Sequence, residues 1–307
     1  MRFRRTPIIH PHELDPAIRS GLAQLAAMQM PDGSFPLSHH DGTRPPRPCH
    51  GLFSTLTVLL ATGDLLPADS RSAAIAYVIE QRRADGLWMF DPDLPIPADS
   101  DCLACALAAL ARNAHAFAAS TDVDLLRSFW RADDGPFLTW QDAPGEWLHR
   151  NRDDAVVNCN LLLALRALGA PPTPLETRAV LELVNRSVRG TRYYCSPATI
   201  VYAARRAGLP MDSIDHRLRA RPPREGVLPE AQWLSAIGQW DDQAIAHVLS
   251  AQSASGAWAS EDWFRGVGAD RWGSAAVSTA LCVEGLRAAA RAACARSSRR
   301  IFAWLRW

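Results

Sequence analysis

Val248-Leu-Ser-Ala-Gln252-Ser-Ala-Ser-Gly256-Ala-Trp258 closes a helix-forming run with Gln, a short polar spacer and then Gly-x-aromatic. The same order recurs upstream. Gly21-Leu-Ala-Gln-Leu25 leads to Gln29 and Gly33-Ser-Phe35, and Tyr77 leads to Gln81 and Gly86-Leu-Trp88. A worn copy runs Phe129-Trp130-Arg131, then Gly135-Pro-Phe137, with Arg131 in the Gln place, and a fainter one spans Val184 to Tyr194 around Gly190. Gln29, Gln81 and Arg131 recur at roughly fifty residues, the period of a stacked supersecondary unit, with room for two more units before Gln252.

A second Ala/Leu-rich segment follows each turn after a loop: His50–Thr62, Asp99–Ala111, Asp153–Leu168, Ser196–Ala207 and Trp272–Ala290. These are helix formers, and no strand-like alternation competes with them. Each unit therefore reads as a helix pair, which can bury its apolar face only by stacking on its neighbours. The second helix of each pair is polar only near its start, and a helix that is apolar all round belongs inside. The expected fold is all-α: an (α/α)5-6 barrel, or toroid, of concentric inner and outer helices. The Gln is expected to cap the outer helix and the aromatic to stack on the next unit.

Working outward, the 307 residues read as one such domain, 1–307. Segment 1–12 is basic, and 291–307 is expected to form a separate helix rich in Arg and aromatics. That mixture suits a bilayer surface, making the chain a peripheral membrane protein, or a terminal helix packed on the domain itself; both readings stand. No apolar run reaches the roughly 20 residues that span a membrane. Thirty-three Lys+Arg against 32 Asp+Glu leave a net charge of +1, which excludes a global basic field for nucleic acid. Seven cysteines, an odd and scattered number with a single CxxC spacing at Cys102–Cys105, point to free thiols in a reducing, cytoplasmic setting.

The Gln-to-aromatic turn resembles the QW repeat of squalene-hopene and oxidosqualene cyclases and of class II diterpene cyclases. Its copies cover most of the chain. A more specific stretch is Leu94-Pro-Ile-Pro-Ala-Asp99-Ser-Asp101-Cys102-Leu-Ala-Cys105, which opens the second inner helix. In those families this place holds an Asp-x-Asp-Asp or a Ser-Asp-Cys-Thr motif. Asp99 and Asp101 match the first and middle aspartates of the former, and Ser100-Asp101-Cys102 matches the latter. Leu103 departs from the Thr usual in both. The resemblance implies a single-domain terpene cyclase-like enzyme, an isomerase in which Asp101 is the proton donor with Asp99 and Cys102 beside it. No cofactor is implied. The chemistry gives a separate reason to look here, since protonating an alkene or epoxide needs a carboxylic acid still protonated at neutral pH. Burial and a second carboxylate both keep it so, and a Cys102 thiol could steady the anion left behind. The plainer reading is helix capping by Asp99, with Asp101 in the first turn; Asp99 can do both.

Asp153-Asp154-Ala-Val-Val-Asn158-Cys159-Asn160 opens the third inner helix. Asp154 and Asn158 share a face, which would line the barrel, with Cys159 as a second thiol donor. Either Asp153 or Asp154 would be an N-cap. Asn158 and Asn160 within an apolar run both require partners. His50, Phe53, Tyr193 and Trp272 complete the expected substrate-binding set. Their rings suit a carbocation, which is attracted to π faces. Cys49-His50-Gly51 resembles the zinc ligands of lanthionine cyclases, and a zinc site from Cys49, His50, Asp101 and Cys102 competes with a capping or hydrogen-bonded His; no metal site is expected.

The function expected is protonation of a linear isoprenoid and its cyclisation through carbocations. The alternatives are a non-catalytic barrel that binds an isoprenoid or a partner enzyme, and a zinc-dependent prenyl- or thiol-transfer enzyme. Cyclases of this resemblance carry a second helical barrel, so the open rim here would need a homodimer partner, another protein or a membrane surface to exclude water.

Overall fold

The computed structural model describes residues 9–94, 96–113, 120–131, 135–141, 153–222, 226–266 and 268–304. Twelve α-helices lie among them, and they alternate in character along the chain. The even-numbered helices are α2 (Leu52–Thr62), α4 (Ser100–Asn113), α6 (Ala155–Ala167), α8 (Ala198–Arg206), α10 (Val227–Ile237) and α12 (Ala275–Trp304). Every residue of α2 is buried, as are Ser100–Leu110 of α4 and Ala155–Leu165 of α6. The odd-numbered helices are α1 (Leu14–Met28), α3 (Ala68–Glu80), α5 (Ser120–Arg127), α7 (Pro174–Arg186), α9 (His216–Arg219) and α11 (Asp242–Ser250). They bury one stripe each, as α3 does with Ser70, Ala74, Tyr77 and Val78. Sequence character thus sorts the helices into an interior and a covering set.

Neighbour relations among the interior helices return to their start. Helix α2 packs on α4, α4 on α6, α6 on α8, α8 on α10, α10 on α12, and α12 on α2. Each covering helix lies on one or two of them, and α1 returns to α12. The interior helix α10 has no counterpart among the expected segments, because Pro229, Glu230 and Gln232 interrupt its apolar run. Helix α12 also differs from expectation. It runs unbroken to Trp304, so residues 291–304 extend an interior helix and form no separate one. Residues 1–8 of the basic opening, and the side chains from 296 onward, lie outside the described residues.

The repeated turn acts as a staple between units. Gln29 Nε2 donates to Gly33 O at 2.8 Å and to Ser70 O of α3 at 2.9 Å. Gln252 does the same toward Gly256 O and Ala17 O of α1, both at 2.9 Å, joining the last unit to the first. Gly33 and Gly256 have φ of 90° and 95°, and a Cβ on either would collide with the next covering helix, at Ala73 O or Ser20 O. The Trp88 and Trp258 indoles return to their own covering helices, donating to Val78 O at 2.8 Å and Val248 O at 2.7 Å. The second unit departs from this pattern: Arg82 bonds Gly86 O and pairs with Asp122 of α5, while Gln81 turns to His50.

The chain is not purely helical. Strands β1 (Leu37–His40), β2 (Arg47–Cys49), β3 (Asp262–Arg265) and β4 (Arg271–Gly273) form an antiparallel sheet in the order β2-β1-β4-β3. This corrects the all-α expectation. The strands have three or four residues each, too few for alternation to register in sequence. Cys49 therefore ends a strand, and Trp272 sits on β4 instead of opening the last helix. Segment Tyr193–Cys195 adds to the edge of β3: Arg265 N donates to Tyr193 O, and Cys195 N to Trp263 O, both at 2.9 Å.

Candidate active site

Three interior helices begin at the sheet. Strand β2 leads through Gly51 into α2 and β4 through Ser274 into α12, while Val227 and Leu228 at the start of α10 donate to Glu261 beside β3. Between these helix starts and the sheet opens a cavity of about 640 Å³. Its lining is aromatic and aliphatic over much of the wall, with Phe53, Phe90, Leu94, Ile96, Phe264 and Trp272, and Asp99, Asp101 and Cys102 contribute from the start of α4.

Asp101 is 7% exposed and held at both oxygens. Tyr194 Oη donates to Oδ2 at 2.6 Å, and Asn160 Nδ2 donates to Oδ1 at 2.8 Å. The Cys105 thiol, one helical turn on, lies 4.0 Å from Oδ1. Burial and the neighbouring Asp99 carboxylate push the Asp101 carboxyl up to about 7, against the pull of its two donors. Asp99 caps α4 by accepting from Cys102 N at 2.6 Å, and burial pushes it up to about 6. The capping and acid readings therefore meet in one turn. Ser100 anchors that turn to the loop carrying Trp140, through Thr139 O and Leu138 O at 2.8 Å each.

Tyr194 reaches the acid because β3 holds its backbone, in a bridge to Phe264. The rings then mesh: Tyr194–Phe264 centroids are 4.8 Å apart and Phe53–Phe264 4.7 Å, edge to face, while Phe90 meets both Phe264 and Trp272 at 5.6 Å. Toward solvent the lining changes. Arg47, Arg192 and Arg265 lie there with His39, which pairs with Asp270 at 2.9 Å. Arg47 Nε donates to His39 Nδ1 at 3.1 Å, and Arg265 is fixed by Thr191 O and Arg192 O.

Of the residues singled out from sequence, Asp99, Asp101, Cys102, Phe53, Tyr193 and Trp272 line this cavity. His50, Asp154, Asn158 and Cys159 do not. His50 Nε2 meets Gln81 Oε1 at 3.1 Å and Tyr77 Oη at 3.2 Å. Asp154 is the N-cap of α6, accepting from Val156 and Val157, and it also takes Thr191 Oγ1 and Arg192 N. Asn158 clasps the Phe137 backbone, accepting its N–H at 2.8 Å and donating to its carbonyl at 3.1 Å. In two other units Thr55 and Thr279 accept from the N–H of Phe35 and Trp258 in the same way. Cys159 is buried in the hydrophobic core. The amide that meets the acid is Asn160, two residues from Asn158 and so on another face of α6. The thiol aimed at Asp101 is that of Cys105, where Cys102 was expected. Of the adjacent pair Tyr193-Tyr194, Tyr193 lines the cavity and Tyr194 is the one whose hydroxyl reaches Asp101. Among the described residues no three His, Cys, Asp or Glu side chains converge to hold a metal ion, and no helix is long and apolar enough to cross a membrane.

No protein-family profile matches the chain, and no curated protein matches it by sequence. Solved structures do. The chain is similar to the type II terpene cyclase MstE from Scytonema, with TM-score 0.69 and 15% identity over 92% of this chain and 100% of that one. A variant of that enzyme holding geranylgeranyl dihydroxybenzoate as substrate matches with TM-score 0.69 and 14% identity, over 92% and 98% of the two chains. A protein from Actinoplanes matches with TM-score 0.67 and 16% identity, over 90% and 99%. The shared property is a terpene cyclase-like fold.

Proposed function

We propose that this protein is a terpene cyclase-like isomerase that protonates an acyclic isoprenoid at Asp101 and cyclises it through carbocations. The carrying observation is a carboxyl pushed up to about 7, buried at one end of an aromatic-walled cavity and held by two neutral donors. A protonated Asp101 gives its proton to the terminal alkene or epoxide carbon. The carboxylate left behind accepts from Tyr194 and Asn160, which are already aimed at it and need no reorganisation. Phe53, Phe90, Phe264 and Trp272 present π electrons to the cation as it moves along the chain, and their bulk keeps water from trapping it. Loss of a proton ends the sequence, so substrate and product have equal mass.

The mouth supports a further element of this reading. Among the lining residues Arg47 and Arg192 are exposed and Arg265 is half-buried, so the cations gather on the solvent side of the cavity. An isoprenoid with an anionic head group, a carboxylate or a diphosphate, fits with its hydrocarbon tail toward Asp101. The closed cycle of six interior helices is read as the inner ring of an (α/α)6 barrel. The structurally similar cyclase chain is covered along 100% of its length, so one unit of this size suffices for the match, and no partner over the rim is needed to account for it.

Incubation with geranylgeranyl dihydroxybenzoate, geranylgeranyl diphosphate and the corresponding alcohol, followed by chromatography and mass spectrometry, tests the proposal. A product of unchanged mass is expected from the wild type. Asp101→Asn should bind substrate, as read by tryptophan quenching, and lose turnover by a factor on the order of 10³. Binding without turnover in the wild type would mark a non-catalytic binder and sink the enzyme reading.

A further inference from the structure

A second, much smaller cavity of about 20 Å³ lies behind the acid, inside the helix ring. Its walls include Cys105, Asn160 and Tyr194, the three groups that meet Asp101, together with Thr57, Thr199, Tyr202, Arg206 and Trp263. That volume suits one water molecule. Three buried donors of its lining residues, Arg206 Nε, Arg206 Nη2 and Trp263 Nε1, have no protein acceptor. A buried N–H left this way costs free energy unless a water oxygen takes it.

The polar chain continues away from the acid. Arg206 Nη1 donates to Tyr202 Oη at 3.0 Å, and Tyr202 Oη donates to Glu284 Oε2 at 2.5 Å. Tyr202 is buried, whereas Arg206 and Glu284 are half-buried, near the C-terminal end of α8 and on α12. The reaction creates a need for such a chain. Once Asp101 has protonated a substrate, the large cavity on its open side is filled with hydrocarbon, and the next turnover requires a new proton.

We propose that the small cavity is a one-water site through which Glu284 and Tyr202 return a proton to Asp101 from inside the helix ring; this rests on the cyclase reading above. The polarity is right at the acid. Tyr194 donates to Asp101, so its oxygen accepts from the water, and the water accepts in turn from Arg206 or Trp263, with its other lone pair left for Tyr202. The guanidinium makes that water a better donor. Each step transfers one proton and leaves none behind. Glu284 takes a proton from solvent, which reverses its hydrogen bond with Tyr202: the Tyr202 hydroxyl turns from Glu284 to the water and passes its proton on as Oη receives the one from Glu284, and it turns back before the next turnover. The water gives one to Tyr194 Oη, and the Tyr194 proton moves to Asp101 Oδ2. Tyr194, Tyr202 and Glu284 are relay groups that never touch substrate.

A high-resolution crystal structure of the full chain should show a water within about 3.2 Å of Arg206 Nε or Nη2, or of Trp263 Nε1; a dry cavity would overturn the proposal. Rapid-quench kinetics test the relay with Tyr202→Phe and, independently, Glu284→Gln. Both variants should form the first equivalent of product at the wild-type rate, from an acid already protonated. Later turnovers should slow by on the order of tenfold or more, giving a burst. Damage to packing alone would slow the first turnover too and give no burst. An active wild type with steady, burst-free turnover in both variants refutes the relay while leaving the cyclase intact. A wild type inert toward every acyclic polyprenyl carboxylate, alcohol and diphosphate refutes the cyclase reading first.

Discussion

Asp101, the proposed proton donor, is under two opposed influences whose balance would set its working range. Burial and Asp99 raise its pKa, while Tyr194 and Asn160 lower it, and the outcome is about 7. An acid must be protonated to act, so turnover should hold below about pH 7 and fall about tenfold per unit above it. Tyr194→Phe removes a lowering contact, so the alkaline limb should move to higher pH while the maximal rate drops; a limb that stays in place would exclude Tyr194 from this role. The same shift appears in stability. The folded carboxyl titrates near 7 and an unfolded one near 3.8, so between those values the folded state binds more protons. Its contribution is full below the lower value and is lost as pH rises through the upper one. Urea unfolding at pH 5 and at pH 7 should therefore show a steeper loss for wild type than for Asp101→Asn, by roughly 1 kcal/mol per pH unit.

At the scale of one element, α6 shows how two like side chains divide their work. Asn158 faces the Phe137 backbone and Asn160 faces Asp101. Asn158→Leu should cost about 2 kcal/mol of stability by orphaning that N–H, with little change in turnover per folded molecule. Asn160→Leu should do the reverse in emphasis and lower kcat, and thermal melts alongside kinetics separate the two. The stapling turns make a comparable statement. Gly256→Ala meets both a positive φ and a collision with Ser20, and should cost about 2 kcal/mol or more. Gly169→Ala also has positive φ, at 73°, but open space around it, and should cost about 1 kcal/mol. Equal melting temperatures for the two would refute the close approach as the reason for glycine at position 256.

At the scale of the whole molecule, the first and last units are joined three ways. Helix α1 packs on α12, Gln252 bonds Ala17 O, and β1 pairs with β4 through Ser38–Gly273 to His40–Arg271. A cycle closed in this manner has no free end from which to fray, in contrast to an open stack whose terminal repeats loosen first. Unfolding followed by circular dichroism and by tryptophan fluorescence should give coincident single transitions. Removing residues 1–28 strips α1 from Val283 and Trp258, which its Gly21 closely approaches, and should abolish the cooperative transition; a truncated chain that melts as sharply as the intact one would show that closure contributes little.

Helix pairs and the interior character of α2, α4, α6, α8 and α12 are properties of local composition, and the sequence carried them without help; α10, with polar residues interrupting its apolar run, was not legible in the same way. Asp101 could likewise be picked out as the candidate acid, because its motif is contiguous in sequence. What holds that acid could not be read in the same way. Tyr194 and Asn160 are 93 and 59 residues from it along the chain, and the first arrives only because a short strand, invisible to periodicity, grips its backbone. Asn158 and His50 looked equally suited to the cavity, but they satisfy backbone and side-chain partners elsewhere. Which face of a helix a polar side chain occupies depends on packing among units distant in sequence, and that the tertiary structure alone decided.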